Sequence, residues 1–170
     1  MTLADRRLRA ALPTIALAVA CAGASAQDEP LQLNPFNDPF AQVTRGRVCP
    51  APRGPAYTET ERRQEAHYRV ERGTSCWLAG ECNEPNAYRY DARIAEAAAA
   101  ALRADPALAD TALWIIAERR FVYVQGCAAD AAQALRAEAI LKAVPDVQVV
   151  IPAISTPGAP ARYPLAATAR

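Results

Sequence analysis

The chain has 170 residues, with 19 Lys or Arg against 18 Asp or Glu, one histidine and five cysteines. That near-neutral balance gives no long-range attraction to nucleic acid, and a single histidine leaves little material for a clustered zinc site. The length suits one compact domain with an extension rather than two full-sized domains.

In chain order, Arg6, Arg7 and Arg9 precede an apolar run from Ala10 to Ala20, and the small triplet Ala24-Ser25-Ala26 follows. These are the three parts of a secretory signal peptide, predicted over residues 1–26. The run is about half of the ~20 residues that cross a bilayer as a helix. No later segment is a candidate, so the mature chain is expected to lack a transmembrane helix. Cys21, after "LAVA", also resembles a lipoprotein acylation site, although Ala18 stands where such sites usually carry Leu. The expected location is the periplasm or cell envelope, lipid-anchored through Cys21 if that second processing route is taken. Beyond residue 26 there are 16 basic and 17 acidic residues, with Lys142 the only lysine.

Residues 27–90 read as an extension. Pro30, Pro35, Pro39, Pro50, Pro52 and Pro55 crowd its first half, predicting an extended, turn-rich arm without regular elements. Within it "NPF" (34–36) and "DPF" (38–40) are expected to be turns, each presenting a Phe to the body of the protein. Residues 58–72, "TETERRQEAHYRVER", predict a highly charged helix with a Thr58–Glu61 capping box and with Gly73 at its end. His67 on this helix is expected to face solvent.

Sustained apolar periodicity begins at Asp91. Ile94, Ala98, Ala101 and Leu102 share one helix face, which Pro106 ends. "ALWIIAE" (112–118) and "RFVYVQG" (120–126) predict a strand hairpin. A second helix from about Asp130, with Gln133 as capping partner, is expected to bury Leu135, Ile140 and Val144, and "VQVVI" (147–151) predicts a third strand. The fold class that follows is α+β: a small helix-strand-strand-helix-strand domain over 91–154, its three-stranded sheet covered by two helices on one face. Residues 155–170 lack periodicity and are expected to form a disordered tail.

"ALRADPAL" (101–108), the hairpin ending in "VYVQG" (122–126), "AEAILKAVPDVQVV" (137–150) and the spacing between them resemble the BON domain, a family named for bacterial osmotic-shock and nodulation-associated envelope proteins. Gly126 fits the family's Gly after the second strand, where the chain turns sharply. In place of the usual Asn-Gly turn stand Arg119 and Arg120, so a different turn is expected. Asp146, Pro152 and Cys127 also depart from the family pattern. The resemblance implies a non-catalytic envelope domain associated with phospholipid surfaces and envelope integrity, and it transfers no binding residue.

Cys76 and Cys82 flank Trp77 in "GTSCWLAGEC", without the Cys-x-x-Cys arrangement of redox sites. Setting Cys21 aside, Cys49, Cys76, Cys82 and Cys127 remain, and an even count in an exported protein favours two disulfides. Three pairings are open. In each of them Cys127, the lone cysteine of the domain, bonds to the extension.

If Leu113, Ile115, Ala117, Val122 and Val124 lie beneath the helices, then Trp114, Ile116, Phe121 and Tyr123 occupy the opposite face. Four large apolar side chains there call for a cover, expected from the extension through Phe36, Phe40 or Trp77, or else they form a platform for lipid or a partner. No nucleophile–base pair or paired carboxylates emerge, and Glu96, Glu118 and Glu138 read as surface charges. No catalytic residue, metal site or cofactor is therefore expected. The expected partner is anionic phospholipid or an envelope protein. Lipid contact is assigned to Arg119 and Arg120 with Trp114, Ile116, Phe121 and Tyr123. The competing class is a structural or assembly component of a periplasmic complex without lipid binding.

Overall fold

The computed structural model describes residues 29–167. The expected signal peptide over residues 1–26, with Cys21, lies outside the described residues. The arm contributes three short strands, β1 (Gln32–Leu33), β2 (Phe40–Gln42) and β3 (Ala56–Tyr57). Two helices follow, α1 (Glu59–Gly73) and α2 (Ser75–Leu78), and a 3-10 turn at Ala87–Tyr90 leads into α3 (Asp91–Ala104). After a second 3-10 turn come β4 (Ala112–Glu118), β5 (Phe121–Cys127), α4 (Ala131–Lys142) and β6 (Val149–Ser155).

The main sheet has four strands in the order β2-β4-β5-β6, rather than the three expected, and β1 pairs with β3 in a separate ribbon. The added strand comes from the arm. Prolines exclude regular structure only where a ladder needs their N–H. Phe40, Ala41 and Gln42 contain none, and they pair antiparallel with Ile116, Ile115 and Trp114. β6 runs parallel to β5, starting and ending later than the predicted 147–151. Pro152 fits within β6 because this is an edge strand, where one missing donor leaves no inner ladder broken.

Helices α3 and α4 cover one sheet face. Ile94, Ala98 and Leu102 of α3 and Ala137 and Leu141 of α4 meet Leu113, Ile115, Ala117, Val122 and Val124 in the core. The expected stripe on α4 is corrected: Leu135 is 65% exposed, while Ala137, Leu141 and Val144 are buried. Small Ala137 lets α4 approach the sheet closely. Asp130 caps α4 by accepting from Gln133 N, and the Gln133 side chain accepts in turn from Ala129 N. The Thr58–Glu61 capping box of α1 is formed as expected.

Residues 155–167, expected to be disordered, lie against the arm. Arg53 N donates to Pro164 O and Ala166 N to Ala51 O, while buried Tyr163 donates its hydroxyl to Pro50 O. The segment therefore has ordered backbone partners despite its lack of periodicity. The arm itself is part of the core. Val43 is buried in the main cluster, and Thr44 Oγ1 accepts from Leu113 N and bonds the Thr111 hydroxyl.

Disulfides join Cys49 to Cys127 and Cys76 to Cys82, with Cα separations of 5.8 and 5.5 Å. The first ties the arm to the end of β5. The second closes a short loop after α1, on which Trp77 is 48% exposed and so takes no part in covering the sheet. At Gly126, φ is +136° and an added Cβ would fall 1.9 Å from Ala112 O, so the close β4–β5 approach beside this disulfide requires glycine.

Candidate functional site

The β4–β5 turn is built without glycine or asparagine. Arg119 and Arg120 both take positive φ, 52° and 66°, as the favoured two-residue hairpin turns demand. Their strain is offset by Asp91. Its buried carboxylate accepts from Arg119 N at 2.7 Å and Arg120 N at 2.8 Å, satisfying both turn amides from the first residue of α3. Burial, opposed by those two N–H groups, pushes Asp91 up to about 6. The arginine side chains are also held. Arg120 Nε donates to Asp146 O at 2.9 Å and its guanidinium lies over Tyr90, while Arg119 stacks over Phe121. The expectation of a different turn is thus corrected: the positive-φ geometry persists because a neighbouring carboxylate supports it.

Beside this turn the charged helix α1 sends one side chain inward. Arg69 makes a two-pronged bond to Asp38 of the arm, 2.8 and 2.5 Å, and lies between the rings of Phe36 and Tyr88 at 4.1 and 4.6 Å. Its other neighbours are Glu65 at 3.4 Å and Glu118 at 3.5 Å. One guanidinium thus serves three carboxylates from three parts of the chain. Asp38 is buried and takes both good hydrogen bonds, leaving Glu118 in ion-pair range without one. Glu118 is no ordinary surface charge, as the sequence reading had it, for its side chain is only 21% exposed. Glu96, by contrast, is exposed. Burial, with Asp38, Glu65 and Asp91 adding to it against the pull of Arg69, pushes Glu118 up to about 7.

A pH effect follows. The folded state holds the Glu118 proton more tightly than the unfolded chain, whose value is near 4.5. Stability from this group is therefore fully present below 4.5 and is lost as pH rises through 7. Glu118→Gln, which removes the charge, is expected to stabilise the protein by roughly 1–3 kcal/mol at pH 8 and to change little at pH 5. Urea unfolding of both proteins at the two pH values measures this. An equal effect at both would show that ionisation is not the cause.

The outer sheet face is partly covered by the chain itself. Register places Phe40, Ile116 and Tyr123 side by side across β2, β4 and β5. Arm residues 53–57 cross over them, so closely that a Cβ on Gly54 would lie 2.7 Å from the Phe40 ring. Ile116 is buried as a result, whereas Trp114, Phe121 and Tyr123 are half-buried. Phe36 packs edge-on against Tyr57, and so reaches the face only through the arm. Between arm and sheet a groove of about 270 Å³ remains, lined by Tyr57, Ile116, Glu118, Tyr123, Gln125 and Arg53 among others. One contact surface is expected from Trp114, Ile116, Arg119, Arg120, Phe121 and Tyr123. The structure sets Ile116 and Tyr123 on this groove and the arginines on the turn beyond it. Arg69, Asp38 and Asp91 were missed. Only Asp91 carries a sequence signal, the turn itself, since two arginines at positive φ need an acceptor close by.

Among the described residues no group of three His, Cys, Asp or Glu is placed to hold a metal ion, and no helix is long and apolar enough to cross a membrane. Residues from α3 to β6 form a helix-hairpin-helix-strand unit, with Gly126 at the end of its second strand. Residues 90–158 match the family model of the BON domain. The chain carries a BON domain. This family is generally non-enzymatic, and the match begins at Tyr90, one residue before the Asp91 that supports the turn. The BON domain thus includes α3, the hairpin, α4 and β6, while β2, α1 and Arg69 belong to the extension packed on it. No curated protein and no solved structure matches the chain.

Proposed function

We propose that the protein is an exported, non-catalytic component of the cell envelope, whose BON domain and stapled extension together bind an envelope partner through the outer face of the sheet. The observation that supports it most is the Cys49–Cys127 disulfide, which ties the BON domain to the arm that roofs the groove. Such bonds persist in oxidising compartments such as the periplasm. The signal-like N-terminus points the same way. Co-purification from cross-linked envelopes tests this reading: recovery of the protein only with cytoplasmic components, or its failure to be exported, would overturn it.

A second reading, favoured by the half-buried arginine pair beside Phe121, is contact with anionic phospholipid at the turn. At about 1 kcal/mol for each arginine, replacing both is expected to weaken binding to anionic vesicles roughly 30-fold. The substitution pair Arg119→Asn, Arg120→Gly suits the positive φ of the turn while removing both charges. Liposome flotation of the unlipidated mature protein reads the outcome. If this variant floats as well as the wild type, or the wild type does not float, the turn has no lipid role.

A further inference from the structure

The groove beneath the arm is polarised. Its floor is apolar at the centre, where Ile116 and Tyr123 pair across β4 and β5. At one end lies Glu118, flanked by Tyr57, and at the other Gln125 with Arg53 above it. Phe121 pairs with Glu118 and Gln125 stands four residues further along β5, so the two ends are about 13 Å apart at ~3.3 Å per residue.

Both ends have unmet bonding capacity. Glu118 shares Arg69 with Asp38 and Glu65, and it receives no hydrogen bond among the described residues. The other groups around it are Asp91 at the start of α3, the phenols of Tyr57, Tyr88 and Tyr123, and Arg119 of the turn, whose guanidinium lies over Phe121 and makes no ion pair with Glu118 among the described residues. At the far end Arg53 Nε is a buried donor and Gln125 Oε1 a buried acceptor, each without a partner. A carboxylate in surplus beside aromatic rings attracts a cation. An unpaired guanidinium attracts an anion or carbonyl.

We propose that this groove binds an extended primary amine, a short peptide with a free amino terminus, whose ammonium pairs with Glu118 and whose acceptor end meets Arg53. This deepens the reading of the outer face as a binding surface and names the chemistry that it would take. Its apolar stem would lie on Ile116 and Tyr123. A bound ammonium favours ionised Glu118, so binding displaces the proton and strengthens as pH rises from 6 to about 7.5, above which the peptide's own ammonium, with a pKa of about 8, is lost.

Titration calorimetry of the mature protein with trialanine, and with N-acetyl-trialanine lacking the ammonium, tests this directly. Acetylation and Glu118→Gln are each expected to weaken binding by roughly tenfold or more. Glu138→Gln, outside the groove, should leave it unchanged. Because Glu118→Gln is expected to fold more stably than the wild type at pH 8, lost binding would not reflect lost structure. Equal affinity of the acetylated peptide, unchanged binding by Glu118→Gln, or no saturation of the wild type up to about 10 mM would each overturn the proposal. Failure here leaves the envelope co-purification result to stand or fall separately.

Discussion

Arg69→Met is expected to destabilise the protein by about 3–5 kcal/mol, the largest effect of any single substitution considered. Among the described residues the guanidinium is the only cation bonded to Asp38, whose side chain is 4% exposed. Without it a buried carboxylate keeps the cost of leaving water and loses what compensated that cost. Glu65 and Glu118 lose the same partner, so repulsion among three carboxylates adds to the deficit. Arg69→Lys is expected to rescue little. An ammonium cannot make the two-pronged bond to Asp38 or fill the space between Phe36 and Tyr88 with a flat cation. The double variant Asp38→Asn, Arg69→Met removes both charges and should recover at least half of the loss, because replacing both partners leaves no orphaned ion. Guanidinium unfolding of the three variants decides the matter. A loss below about 1 kcal/mol for Arg69→Met would mean that the ion pair is no stronger than a surface one.

That network was the least legible part of the chain. The sequence shows α1 as a run of charges, and a run of charges is ordinarily a solvated face. Its helical spacing does hold the capping box and the exposed position of His67, both of which depend only on neighbours within a turn. What it cannot show is that Asp38, 31 residues away, would turn inward to meet Arg69. The same division holds elsewhere. The hairpin and α3 follow from apolar periods of two and 3.6, because a buried face forces those periods on the local sequence. Strand β2 is three residues long and gains its place from backbone pairing with β4, which leaves almost no pattern in side chains. Leu135 shows the converse failure: an apolar residue in a helical pattern marks a buried face only if the partner lies on that side, and here α4 turns Ala137 and Leu141 to the sheet. Glu118 sits at a strand end, where a carboxylate normally meets water, and only the arm crossing above it makes it part of a site.

Removing the Cys49–Cys127 disulfide by paired serine substitution is expected to cost about 2–4 kcal/mol, and removing Cys76–Cys82 appreciably less. The difference originates in the unfolded chain. The first bond closes a loop with a sequence separation of 78, the second one of six. Loop-closure entropy alone then gives about 4.5 kcal/mol for the long loop and about 2 kcal/mol for the short one, before any relaxation of the unfolded ensemble lowers both. The folded state points the same way. Cys49 anchors an arm that supplies edge strand β2, core residue Val43 and the roof of the groove, so its release loosens a larger surface than release of the Trp77 loop. Tyr163 adds to this anchor, with its hydroxyl 3.3 Å from Cys49 Sγ and bonded to Pro50 O. Unfolding of the two double-serine variants by urea, with slopes compared as well as midpoints, separates the contributions. The long-loop variant should show the lower midpoint, and its arm should be cut first by limited proteolysis between residues 44 and 55. If the Cys76/Cys82 variant proves the weaker of the two, the arm is held to the BON domain by its packing and by Asp38–Arg69 rather than by its covalent bond.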